Sequence, residues 1–174
     1  MDIAKELEEN QTILLLIPST EYARAELEIM QSLSGKNVCY VTLNKTCESL
    51  VETFKKKGIN LDNIVFIDAI AKTFSKAPDQ RDKCYYVSSP AALTEIAIEI
   101  DVFLKHGYDY LVFDSLTNLL IYEKKAPIAK FVASLVNKIR QSKTKAVFYA
   151  ASIHEQDAMI EETGMFVDKV IVWK

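Results

Sequence analysis

The residues in this chain best placed to do chemistry are an aspartate that ends an apolar run and the hydroxyl that follows it, in Tyr110-Leu-Val-Phe-Asp114-Ser115-Leu-Thr-Asn118. In a parallel α/β sheet such a run is a strand buried on both faces. Its carboxyl end opens into the crevice where ligands of these folds sit. An acid there can hold a cation or polarise a water. It can equally cap the next turn or pair with Arg24 across the crevice, and the structural role is the favoured reading because other oxygen ligands for a metal are missing. Arg24 can hold an anion, but a solvated helix residue is the reading preferred for it. His106 and His154 are the only histidines and lie far apart without ligand spacing, so no metal site is assigned, and no residue is assigned a catalytic role.

Composition narrows the classes. A chain of 174 residues, 49% hydrophobic and 26% charged, suits one globular domain spanning 1–174. The formal net charge of -3 argues against a nucleic-acid partner, which usually demands a basic excess. Lys55-Lys56-Lys57, the densest basic run, stands before Gly58, where it complements a helix C-terminus. The 3 cysteines, Cys39, Cys47 and Cys84, include no CxxC pair. Cys39 and Cys84 fall in apolar strand-like runs, and buried free thiols and a reducing cytoplasm are expected. The acidic N-terminus has no signal-peptide core, and no apolar run is long enough to span a membrane.

The elements that would position Asp114 alternate along the chain. Thr12–Ile17 is a continuously apolar run closed by Pro18, which predicts a central parallel strand. Ser19 or Thr20 can cap the helix that follows, with Glu21 in its first turn. Further strands are predicted at 37–42, 63–68, 84–88, 110–114, 145–151 and 168–173. Helices are predicted from Thr46 to Gly58, from Ser89-Pro90 to Gly107 and from Pro127 onward. Ala71–Lys83 and Asn118–Ala126 are predicted loops, and Ser152–Gly164 is a polar, acidic segment. This order predicts an α/β class: a single, mostly parallel twisted sheet of six or so strands, flanked by helices.

The order of parts resembles the RecA-like P-loop ATPases, specifically the KaiC-like branch. The resemblance covers nearly the whole chain. It is carried by Tyr40-Val-Thr-Leu43 before a helix ending in Lys57-Gly58, by Val112-Phe-Asp-Ser-Leu-Thr-Asn-Leu-Leu120, and by Phe166-Val-Asp168-Lys-Val-Ile-Val172. Ser88-Ser-Pro-Ala-Ala-Leu-Thr-Glu95 further resembles an archaeal group of such proteins. The family places G-x-x-x-x-G-K-[ST] after its first strand to cradle phosphates. The corresponding window, Pro18-Ser-Thr-Glu-Tyr-Ala23-Arg24-Ala25, has neither glycine, an arginine for the lysine and an alanine for the magnesium-binding hydroxyl. The family's catalytic glutamate is expected just after the second strand, where Leu43-Asn44-Lys45 has no acid.

The resemblance therefore implies a RecA-like domain with a degenerate Walker A motif, without cofactor, that works as a protein-interaction or regulatory module. Its partner would be another protein or a second copy. The alternative it leaves open is a divergent nucleotide binder in which Arg24, Asp114 and Ser115 hold ATP and magnesium. The window's expected form separates the two. With no glycine, the helix should begin early, at about Ser19 to Glu21, and the crevice above Asp114 should be small or filled by side chains.

Overall fold

The computed structural model describes residues 1–152 and 158–174. These form α1 (Ile3–Glu9), β1 (Thr12–Ile17), α2 (Tyr22–Ser32), β2 (Val38–Thr42), α3 (Cys47–Lys56), β3 (Ile64–Asp68), β4 (Gln80–Arg81), β5 (Cys84–Tyr86), α4 (Leu93–Lys105), β6 (Tyr110–Asp114), α5 (Leu116–Tyr122), α6 (Lys125–Arg140), β7 (Lys145–Ala151), α7 (Ala158–Phe166) and β8 (Lys169–Val172). The apolar runs become strands because each is short, rich in β-branched and aromatic residues, and covered on both faces.

All eight strands lie in one sheet of order β4-β5-β3-β2-β6-β7-β1-β8. Every pairing is parallel except that of β4 with β5. Against an expectation of six or so, seven of these strands fall on the stretches named from the sequence, and the eighth, β4, only two residues long, has no periodicity to read. Side chains alternate between two cores. Helices α1, α2 and α3 cover one face through Leu7, Ile29 and Phe54, against Leu15, Tyr40 and Tyr149. Helices α4 to α7 cover the other through Ile100, Leu119, Val132 and Met159, against Val41, Phe113 and Phe148.

The winding fixes where a crevice opens. From β2 the chain builds outward through β3 to β5, then returns to lay β6 on the other side of β2. The direction reverses between β2 and β6, and Thr42 at the end of β2 is in register with Asp114 at the end of β6. That boundary is the topological switch point at which open α/β sheets leave room above their carboxyl ends. The β1 strand lies between β7 and β8, inside the sheet as expected.

Several local expectations are corrected. Cys84 is not a free thiol: it is disulfide-bonded to Cys47, with the Cα atoms 6.2 Å apart, within the usual range for such a bond. Only Cys39 is free, and it is buried. The Asn118–Ala126 stretch is not a loop; Ser115 caps α5 by accepting from the Asn118 N–H, and α6 begins at Lys125, ahead of Pro127, which sits in its first turn. Ser89 does not cap α4, which starts at Leu93 without a side-chain cap; Ser88 is instead clasped by Glu95, through its N–H at 2.8 Å and its hydroxyl at 2.7 Å. Within Ala71–Lys83, a single 3-10 turn at Ala71–Thr73 and β4 interrupt the expected loop. The acidic Ser152–Gly164 segment is largely helical from Ala158, and the position of His154 lies outside the described residues.

Candidate functional site

On β6, Leu111 and Phe113 face the α4–α7 core, while Val112 faces α2. Asp114 follows Val112 by two residues and so points toward α2. Its side chain is fully buried, at 0% exposure. The Tyr22 hydroxyl, from the first residue of α2, donates to its Oδ1, and the Tyr40 hydroxyl, from the middle of β2, donates to its Oδ2 at 2.7 Å.

The network continues away from the aspartate. The Tyr40 hydroxyl also lies 3.2 Å from Oε1 of Glu26, which is buried one helical turn beyond Tyr22. A hydroxyl carries one proton, so one proton serves both carboxylates at Tyr40. Lys45 Nζ donates to Glu26 Oε2 at 2.7 Å and closes the chain from the loop after β2. Thr42 fixes that loop by donating its hydroxyl to the Lys45 carbonyl at 2.5 Å and accepting the Lys45 N–H at 3.2 Å. Tyr149 on β7 packs edge-on against Tyr22, with ring centroids 6.2 Å apart, and its buried hydroxyl has no hydrogen-bond partner.

Burial dominates the electrostatics. It pushes the Asp114 carboxyl up to about 6, with the Glu26 charge adding to the rise, while the Tyr22 and Tyr40 hydroxyls and the Lys45 ammonium oppose it. Burial and the same carboxylates hold the phenols of Tyr22, Tyr40 and Tyr149 well above their ordinary value. None of the three supplies a phenolate near neutral pH.

The turn between β1 and α2 is tight. Pro18 is followed by a 3-10 turn over Ser19–Glu21, with the Glu21 N–H donating to the Pro18 carbonyl at 2.9 Å. The helix begins where expected, but neither Ser19 nor Thr20 caps it; the 3-10 bond takes that place. Arg24 turns outward, donating to Glu28 at 2.7 Å and to Glu21 at 3.2 Å, and so is not brought to Asp114. Ser115 is brought beside the crevice, buried, its hydroxyl donating to Asn118 Oδ1 at 2.5 Å.

The crevice itself is open rather than filled. A groove of about 460 Å³ runs over the strand ends, lined by Ser19, Tyr22, Asn44, Lys45, Ser115 and Asn118 among others. Asp114 is not part of its wall; Tyr22 stands between the carboxylate and the groove. Tyr22, Tyr40, Glu26, Lys45 and Tyr149 were missed in the sequence. The available signal was two tyrosines inside buried strands, whose hydroxyls each need a partner.

This architecture has a solved counterpart in fold. A solved structure of similar fold is that of the KaiC-like protein PH0186 from the hyperthermophilic archaeon Pyrococcus horikoshii OT3. The match has a TM-score of 0.64 and 15% identity, and covers 93% of this chain and 70% of that one. The fold is thus RecA-like and KaiC-like. The chain belongs to the family of unknown function DUF7090, whose model matches residues 3–173. No curated protein matches it. No helix among the described residues is long and apolar enough to cross a membrane, and no group of three or more acidic, histidine or cysteine side chains among them could hold a metal ion.

Proposed function

We propose that this chain, acting as one RecA-like domain over residues 1–174, does not turn over nucleotide and works as a protein-interaction or regulatory module. The observation that carries the reading is the sealing of Asp114, whose two oxygens are taken by Tyr22 and Tyr40 beneath the crevice floor. A carboxylate that assists phosphoryl transfer must reach a magnesium ion beside the phosphates. This one faces two phenols instead.

The residues of the turn do not fit a magnesium-bound triphosphate either. Phosphate cradles use converging backbone N–H groups, a lysine and a hydroxyl. Here Pro18 has no N–H, Glu21 occupies the positive start of α2, Arg24 is held by two carboxylates, and Ala25 is buried in the α2 core. The competing reading, a nucleotide held by Arg24, Asp114 and Ser115, has only Ser115 on the groove wall. Large apolar side chains left in solvent support a role for the outer surfaces: Phe74 beside the Ala71–Thr73 turn and Met165 on α7 are 68% and 82% exposed. A phosphate-release assay on purified protein tests the reading. No magnesium-dependent release above the blank is expected; release that disappears in Asp114→Ala overturns it.

A further inference from the structure

The two edges of the sheet are built differently, and the difference identifies a docking surface. At one edge, β4 is two residues long, polar and exposed, and is joined to β5 by a tight turn at Asp82, φ 52°. Short, charged, twisted edges block further pairing. At the other edge, β8 is twice as long, and its one charge, Lys169, is tied to Glu6 of its own chain. Its sequence is Lys169-Val-Ile-Val172, without proline or an acidic residue, and no described strand pairs with its outer side. Val170 and Val172 are 44% and 49% exposed on the face nearest α7, and Met165 at the end of α7 is 82% exposed. Gly164 abuts Val170 so closely that a Cβ there would lie 3.2 Å from Val170 Cγ2, which places Met165 at the margin of the same patch.

We propose that β8 is a self-association edge, on which a second copy of this chain adds its own β8 antiparallel across a twofold axis. The proposal rests on the reading that this protein works through its surfaces, and it names the partner and the strand. Alternate residues of a parallel ladder bond to one neighbour. Trp173 donates its N–H to the Leu16 carbonyl at 2.8 Å, and Val172 lies in register with Leu16. The same alternation turns the N–H and C=O groups of Ile171 toward β1 and directs those of Val170 and Val172 outward, unpaired within the sheet.

With Ile171 set against Ile171 of the second copy, those groups bond reciprocally, and each Val170 lies opposite a Val172 on the exposed face. An isologous contact must be self-complementary in this way, and cross-strand β-branched pairs are favourable. The charges agree. The two Lys169 residues end about four residues apart along the ladder, roughly 14 Å at ~3.4 Å per residue, beyond the screening length of physiological salt. Each already donates to Glu6 of its own chain at 2.7 Å. No charge is buried and no acid is opposed to an acid, so the surface fits a second copy better than a charged partner strand.

The test is light scattering of the whole chain across a concentration series, with Val170→Lys and Val172→Lys as separate variants. Both positions are exposed, and a thermal melt checks that each variant folds. We expect a wild-type dimer, with self-association weakened about tenfold or more by either lysine, and a covalent dimer when the Val170→Cys/Val172→Cys double variant is oxidised. A monomer at every concentration, or a dimer indifferent to both lysines and refractory to the cysteine cross-link, overturns the proposal. Nucleotide turnover would overturn the functional reading but would leave these β8 measurements unchanged, so the two failures are distinguishable.

Discussion

Asp114 shows how one residue type acquires opposite roles from its surroundings. At the end of a central strand it could serve a cation, but Tyr22 and Tyr40 supply two phenolic donors and burial removes water. Its carboxyl, raised from an ordinary value of 3.8 to about 6, binds a proton more tightly folded than unfolded. The associated stability is fully present below about pH 4 and is lost as pH rises through about 6. Two pKa units correspond to ~3 kcal/mol. Asp114→Asn should abolish this dependence, so urea melts at pH 4 and pH 7 should shift the wild-type-minus-variant difference by about that amount, in the variant's favour at pH 7. A difference constant with pH would contradict the assignment. Tyr22→Phe removes a donor that holds the carboxyl down, so the Asp114 pKa should rise further by carbon NMR. The variant should lose about 1–3 kcal/mol at pH 8, where the carboxylate is charged and short of a partner.

At the scale of elements, the apolar runs 12–17, 110–114 and 145–151 were legible in the sequence to the residue, because uninterrupted β-branched and aromatic stretches have few alternatives once covered on both faces. The two-residue β4 and the seven-residue α5 were not; the first is fixed by its pairing with β5 and the second by the Ser115 cap. The site was half legible. Asp114 could be placed at a strand end, but a strand buried on both faces gives no sign of which face its last residue takes. The pairing with Tyr22, Tyr40 and Glu26 follows only from α2 covering that face. Two tethers in this layer can be tested. The Cys47–Cys84 disulfide closes a loop of sequence separation 37, for which chain entropy gives about 3–4 kcal/mol. Reduction should lower unfolding stability by that order in denaturant melts, and an unchanged midpoint would contradict a structural role. Asp68, fully buried at the end of β3, accepts N–H groups from Cys47, Ile70 and Ala71 at 2.7 to 2.8 Å. Asp68→Ala strands those donors and should cost roughly 2–4 kcal/mol in the same melts.

For the whole molecule, a doubly covered sheet of RecA-like, KaiC-like build places a groove at its switch point, then floors it with Tyr22 so that the strand-end acid faces inward. Fold alone does not assign activity; the proposed role, a scaffold that acts through its surfaces, rests on the side chains at the turn after β1 and at the end of β6. Calorimetric titration of the purified chain with magnesium–ATP tests this most directly. The account predicts no saturable binding up to about millimolar nucleotide, the weak end of specific affinity, with wild type and Asp114→Asn indistinguishable. Saturable, magnesium-dependent binding by the wild type that is lost in Asp114→Asn would contradict it.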